Sequence, residues 1–250
     1  MDLVLSLFPG IGLLDKGFES EGFCVVRGPD LIFGGDIRSF NVPSDKFSGV
    51  IGGPPCQDFS KARRSEPTGE GMEMINHYIR IVEQAEPLWW LAENVPEVPD
   101  IKIDGYSWQR LDLNARDFGS KQRRKRHIQF GSNDETALNI ERNPVNGGHP
   151  TVLANSELSI SEKARLQGLP PDFNIPSFTK SALSQAIGNG VPFEMAKALA
   201  IAVKNRRSGL NLCACSCGRL VTGRQKYSTG ACRKRVHDRS VTQPALLTTG

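Results

Sequence analysis

The stretch GVIGGPPCQDFSKARR, residues 49–64, sets one thiol directly after two glycines and two prolines. Proline fixes its own φ and keeps the preceding residue out of the helical region, so Cys56 sits on a stiff mount. Free cysteines are often buried and inert, but an aimed thiol after a glycine pair suits a nucleophile. Glu93 closes the apolar run LWWLA. Desolvation beside two tryptophans would raise its pKa and let it hold a proton near neutrality, which suits a general acid; the plainer reading is a strand-end charge that reaches water. Gln122, Arg124 and Arg126 form Q-x-R-x-R. Alternate residues of an extended segment share a side, so the three are expected to reach one site. Arginine there suits carboxylate, phosphate or base-carbonyl contacts, although a basic run taken alone is more often a solvated face.

These groups need elements to aim them. LVLSLF (3–8) is a strand candidate, followed by the turn PGIG, a helix over LLDKGFESEGF and a strand at FCVV (23–26). Strand, glycine turn, helix and strand open a doubly wound α/β fold. GVI (49–51) is a third strand, and its end delivers Cys56. Helical spacing of Met72, Ile75, Ile79 and Val82 predicts a helix over 72–86, stopped by Pro87. LWWLAENV (88–95) and HIQF (127–130) are further strands. SISEKARLQ (159–167) and FEMAKALAIAV (193–203) are helices, the second entered through the turn IGNGVP.

Phe8, Gly10 and Gly12 lie between the first strand and its helix. Glycines there allow positive φ and a close backbone approach to a ligand. Asp30, 18 residues after Gly12, stands where an acid would hold ribose hydroxyls, and Asp36 follows a second glycine turn. The third glycine of the dinucleotide fingerprint is missing, and nothing at the helix start suits a pyrophosphate. An adenosine-bearing ligand without a diphosphate, such as S-adenosylmethionine, fits better.

The chain has 250 residues and no apolar run near the roughly 20 residues needed to span a bilayer. Its start is acidic at Asp2 and lacks a basic n-region, so no signal peptide and a cytoplasmic setting are expected. The net charge of +4 hides an asymmetry: residues 204–239 carry +9 and residues 1–203 carry −5. A basic appendage on an acidic body suggests a polyanion partner, with a solvated tail as the alternative. Cys213, Cys215, Cys217 and Cys232 crowd that appendage, with His237 close behind. In a reducing compartment the cluster reads as metal binding, and a tetrahedral Cys₄ or Cys₃His zinc site is expected.

Taken in order, LFPGIG, GGPPCQDFS, ENV, QRRKR, RLQGLPPDF and IGNGVP resemble the DNA cytosine-5 methyltransferases, over residues 3–203. The resemblance implies a Rossmann-like sheet with helices on both faces, S-adenosyl-L-methionine as cofactor, and methyl transfer to carbon 5 of a flipped cytosine in double-stranded DNA. It implies Cys56 as nucleophile, Glu93 as acid, Arg126 on the cytosine and Arg124 as its neighbour. Phe8, Gly10, Gly12, Asp30, Asp36, Ile37, Pro54, Asn189 and Val191 match cofactor contacts. Ser6 stands where the family usually has an acid, Leu13 where it has a third glycine and Leu31 where an aromatic is common.

The expected organisation is a catalytic core (1–131), a short target-recognition insertion (132–160), helices completing the core (161–206), a basic Cys-rich module (207–239) and a frayed tail (240–250). Residues 60–72 are expected to form a mobile loop that grips phosphates with Lys61, Arg63 and Arg64. A monomer acting on DNA in a bacterial or phage setting is expected. Transfer RNA is the nearest alternative substrate. An oxidoreductase would want the third glycine, a zinc deaminase would want P-C-x-x-C, and a non-catalytic DNA-binding protein would not need Cys56, Glu93 and Arg126 together.

Overall fold

The computed structural model describes residues 2–60, 66–146, 148, 156–215, 217 and 219–242. Six strands form one sheet: β1 (Leu3–Leu7), β2 (Cys24–Arg27), β3 (Gly49–Gly52), β4 (Trp89–Asn94), β5 (Ser107–Asn114) and β6 (Lys125–Ser132), in the order β2-β1-β3-β4-β6-β5. The first four pair in parallel, and β6 is antiparallel to both β4 and β5. The helices are α1 (Leu13–Ser20), α2 (Glu70–Ala85), α3 (Ile160–Leu166), α4 (Lys180–Asn189), α5 (Phe193–Lys204) and α6 (Gly230–Thr242).

Side chains alternate across a strand, so the apolar run of β4 feeds two separate cores. Trp89 joins Phe18 of α1 and Leu199 of α5 on one face of the sheet. Trp90 joins Tyr78 and Val82 of α2 on the other. Trp89 lies nearly parallel to Phe18 with centroids 6.0 Å apart, and Trp90 meets Tyr78 edge-on. Each indole lies over a glycine of the neighbouring strand. A Cβ at Gly49 would fall 2.1 Å from Trp89, and one at Gly131 2.3 Å from Trp90. A third cluster, from Ile11 and Leu13 to Leu183 and Ile187, seats α3 and α4 over the start of α1. The stretch Lys180–Lys204 is long and apolar enough to cross a membrane by composition. It is two helices meeting at Gly190–Pro192, and their apolar residues join these cores.

The strands and helices expected from periodicity all appear, displaced by a residue or two at their ends, save that α1 stops at Ser20, three residues short of Phe23. Three elements were not expected. β5 is an edge strand whose inner positions include Gln109 and Arg110, so its alternation is masked by polar residues that bond internally. In α4 the residues Ile187–Asn189 of the expected turn IGNGVP form the last helical turn. Helix α6 runs through Thr242, so residues 240–242 belong to a helix and not to a frayed end, and 243–250 lie outside the described residues.

Lys61, Arg63 and Arg64, expected to grip phosphates, also lie outside the described residues. The far end of that expected loop is anchored. Asp58 accepts the backbone N–H groups of Thr68 (3.0 Å) and Gly71 (2.8 Å), and residues 70–72 open α2. Within the expected insertion, Leu138 and Ile140 are buried in the main core.

Candidate active site

Every parallel strand ends on the same rim, where open α/β sheets bind ligands. Phe8 takes a left-handed φ of 54°, lifting the chain out of β1. Gly12, at φ 73°, then starts α1, and a Cβ there would meet the Arg27 guanidinium at 2.5 Å. Asp30 follows β2. Its carboxylate accepts the N–H of Gly10 (2.7 Å) and of Ile32 (2.9 Å), tying the two turns together. Asp36 caps a single 3₁₀ turn by accepting the Arg38 N–H, which holds its carboxyl below the usual range.

Cys56 follows β3 and opens a 3₁₀ turn, Gln57–Phe59. Asn94, at the end of β4, donates from Nδ2 to the Pro54 carbonyl at 3.0 Å and so clamps the Pro-Pro mount. Glu93, one residue earlier, is 8% exposed, and its Oε1 lies 2.6 Å from Nε of Arg126 on β6. Burial pushes the Glu93 carboxyl up, against the opposing pull of Arg126. Burial also pushes the Cys56 thiol up, and the negative charge of Glu93 adds to it; Arg126 works the other way. The thiol is therefore less acidic than usual, despite a nearby arginine.

A cavity of about 290 Å³ connects these groups. Of the residues singled out in the sequence, Phe8, Gly10, Asp30, Asp36, Ile37, Pro54, Cys56, Glu93, Arg126, Asn189 and Val191 line it. Gly12 shapes the turn beneath. Arg124 does not line it. Its guanidinium is buried and donates to the carbonyls of Gly188 (2.6 Å) and Gly190 (3.0 Å). Gln122 is buried too, donating to the Leu166 carbonyl and to Gln167 Oε1 (3.0 Å). Of the Q-x-R-x-R triplet only Arg126 faces the cavity, because β6 begins at Lys125 and the earlier residues reach the helices instead.

Sequence reasoning passed over two parts of this arrangement. Gln167 is fully buried, and its Nε2 donates to the carbonyls of Ile187 (2.6 Å) and Gly190 (3.0 Å). Together with Arg124 it fixes the turn that brings Asn189 and Val191 to the cavity. Its place inside RLQGLPPDF was the available signal. The second is Asp15. Position 6 carries no acid, but Ser6 donates from Oγ to Asp15 Oδ1 at 2.5 Å, and Arg27 pairs with Oδ2 at 2.8 Å. A carboxylate thus reaches the same wall from α1, and both residues line the cavity.

Among the described residues, the cavity wall holds five acids (Asp15, Asp30, Asp36, Glu70 and Glu93) and one cation, Arg126. Such a wall repels a diphosphate and favours a ligand bearing positive charge. Arg27, Arg38 and Arg126 pair with four of these acids, and a sulfonium- and ammonium-bearing nucleoside suits the wall better than a cofactor with a pyrophosphate.

Residues 32–157 and 150–205 match the family model of C-5 cytosine-specific DNA methylases, which is more than half of the 250 residues. The chain belongs to the C-5 cytosine-specific DNA methylase family. Within that family it resembles the Type II methyltransferase M.NgoPII of Neisseria gonorrhoeae, 29% identical over 160 residues, 51% of this chain and 47% of that protein. It also resembles the Type II methyltransferase M.MthTI of Methanothermobacter thermautotrophicus, 33% identical over 172 residues, 55% of this chain and 51% of that protein. The chain spans about half the length of these relatives. In fold it matches the methyltransferase EhMeth of Entamoeba histolytica with a TM-score of 0.63 at 12% identity, over 82% of this chain and 98% of that one. The family's Rossmann-like sheet with helices on both faces is the fold described above. Outside the site, Cys213, Cys215, Cys217 and Cys232 bring four buried sulfurs within 4.8 Å of one another.

Proposed function

We propose that this protein methylates carbon 5 of cytosine in double-stranded DNA, using S-adenosyl-L-methionine. The observation that carries the reading is one cavity holding the Cys56 thiol, the Glu93–Arg126 pair and the acid-lined glycine turn of β1. Phe8, Asp30, Asp36, Ile37, Asn189 and Val191 would hold the cofactor, with the Asp15 carboxyl, tied to Ser6 and Arg27, beside it. When bound, S-adenosylmethionine supplies an electrophilic methyl group.

The chain's own residues make carbon 5 reactive. The Cys56 thiolate adds to carbon 6 and pushes an electron pair into the ring, splitting one hard step into two easier ones. Glu93 delivers a proton to N3 and so neutralises the charge that arrives there. Arg126 then faces the ring carbonyl, where the rest of that charge develops. Once carbon 5 carries the methyl group, water takes the carbon-5 proton, the ring double bond re-forms, Cys56 leaves as the thiolate and N3 returns its proton to Glu93. Glu93 keeps its proton for N3, while the proton that Cys56 gives up goes to water at the open side of the cavity. The target base must leave the duplex stack to reach the cavity, at a cost of a few kcal/mol.

Residues 132–160 would serve as the target-recognition segment, and the setting we infer is the cytoplasm of a bacterial or phage-infected cell. The support for that setting is the Type II methyltransferases among the relatives. The test is transfer of labelled methyl from S-adenosylmethionine to duplex DNA. Cys56→Ala is expected to lower the rate by about three orders of magnitude or more. DNA carrying 5-fluorocytosine is expected to stay covalently attached to the wild-type protein, since fluorine cannot leave as a proton. Undiminished transfer by Cys56→Ala would overturn the mechanism. Transfer to tRNA in preference to duplex DNA would overturn the substrate.

A further inference from the structure

The four-cysteine module at residues 207–238 is not accounted for by the catalytic site. Its hairpin-like knuckle is closed by Cys213 N–H to the Arg219 carbonyl (2.9 Å) and Val221 N–H to the Asn211 carbonyl (2.8 Å). Cys213, Cys215 and Cys217 lie on the knuckle, and Cys232 lies in the first turn of α6. The module's interior is these four cysteines and Val221, with Tyr227 and Val236 half-buried against them. That is far too little apolar surface to order thirty residues unaided.

The sulfurs have the spacing of a tetrahedral metal site. Zinc–sulfur bonds of about 2.3 Å place tetrahedral ligands about 3.8 Å apart. Cys213 and Cys215 sulfurs are 3.5 Å apart, Cys217 and Cys232 are 3.9 Å apart, and all four lie within 4.8 Å. Donors surround them, as around a thiolate cluster that shares its charge with a second layer. The Ser228 N–H reaches Cys213 (3.2 Å), the Thr229 hydroxyl reaches Cys232 (3.1 Å), and Arg235 reaches Cys215 (3.7 Å). His237 is 76% exposed and pairs with Asp238, so the Cys₃His alternative gives way to Cys₄.

The module's position gives it a use. Arg207 and Ala137 exchange backbone hydrogen bonds, and Leu212 and Cys213 face Trp108 and Gln109 of the edge strand β5 across a shallow cavity. Arg142 bonds both Asp117 and the Cys217 carbonyl. Asp117 follows β5, whose last residues Leu113 and Asn114 pair with Arg126 and Lys125. The module thus lies along the β5 edge, from Trp108 and Gln109 at the start of the strand to Asp117 past its end, where Arg142 brings the Cys217 carbonyl to the active-site rim. Its exposed face carries Arg219, Arg224, Lys226, Arg233 and Lys234, with Lys226 and Arg233 both over the Tyr227 ring (5.8 and 5.9 Å). Asp238 is the only acid in residues 204–239.

We propose that Cys213, Cys215, Cys217 and Cys232 bind one zinc ion, and that the metal-ordered module grips the phosphates of duplex DNA beside the active-site rim. The DNA half rests on the proposed function; the metal half does not. Protein purified without chelator is expected to contain about one zinc per chain, and its cobalt form to show the absorption of a tetrahedral tetrathiolate. Cys232→Ser is expected to lose the metal. Four free thiols with no metal, or two disulfides, would overturn the site. For the grip, Arg224→Ala, Lys226→Ala, Arg233→Ala and Lys234→Ala are combined, with zinc content as the check on folding. Duplex affinity is expected to fall roughly tenfold or more, with a shallower salt dependence, because each lost phosphate contact removes about one released counterion. Unchanged duplex affinity in the zinc-loaded variant would overturn the grip. A wild-type protein that binds zinc and duplex through this face but transfers no methyl would overturn the proposed function alone.

Discussion

At the residue scale the site is a contest between burial and charge. Cys56 is half-buried and Glu93 buried, both are acidic groups, and both are pushed up by desolvation. Among the described residues Arg126 is the one cation in the cavity wall, and it pairs with Glu93 at 2.6 Å. The thiol thus sees a carboxylate whose charge is only partly offset. Removing that charge makes the thiolate easier to form. Glu93→Gln should therefore shift the pH midpoint of Cys56 alkylation downward, while Arg126→Gln should shift it upward. Alkylation of the single cavity thiol, followed by mass spectrometry across pH, reads both. Shifts of the same sign in the two variants would remove the electrostatic assignment. The same logic explains why Glu93 is suited to protonate a ring nitrogen: a carboxyl held up by its surroundings keeps its proton closer to neutrality.

At the element scale, three junctions place the chemistry. Asn94 ties β4 to the Pro-Pro mount, Asp30 ties the first two turns together, and Gln167 with Arg124 holds the turn between α4 and α5. The last junction touches the proposed cofactor wall only through Asn189, Gly190 and Val191. Gln167→Ala should consequently raise the KM for S-adenosylmethionine roughly tenfold, since small misplacements of a binding wall are costly. Its kcat at saturating cofactor should stay within about threefold. Steady-state kinetics with both substrates varied separates the two parameters; a loss confined to kcat would assign Gln167 to the chemistry instead.

At the scale of the whole molecule, stability and charge are distributed unevenly. His127 is buried beside Asp112, with Nδ1 2.9 Å from its Oδ1, and burial followed by the charge of Arg110 lowers its pKa to about 3. A histidine held neutral in the folded state contributes stability that is present above its unfolded pKa of about 6.5. That contribution is lost as pH falls through the window from about 6.5 toward the folded value near 3. Urea unfolding should show the loss in wild type, and His127→Gln should flatten that part of the profile. An identical pH profile in the two proteins would mean that the imidazole is charged in the fold. Charge is uneven in a second way: a body of −5 carries an appendage of +9, so the positive charge is concentrated on the smallest part of the chain.

Much of this was determined by local sequence. The Pro-Pro-Cys mount, the alternation that splits Trp89 from Trp90, and the helical spacing of α2 and α5 depend on neighbours a few residues apart, and such signals survive without tertiary information. The crowding of four cysteines in residues 213–232 likewise announced a shared site. What tertiary structure decided are the long-range matters. Gln122 and Arg124 leave the cavity because their partners, Leu166, Gly188 and Gly190, lie more than forty residues further along the chain. Asp15 answers Ser6 only because α1 folds back over β1. β5 is a strand because β6 offers it an edge, against its own polar pattern. Periodicity and stiffness are encoded between neighbours, whereas the direction of a long side chain is set by whichever distant carbonyl or charge the fold brings within reach.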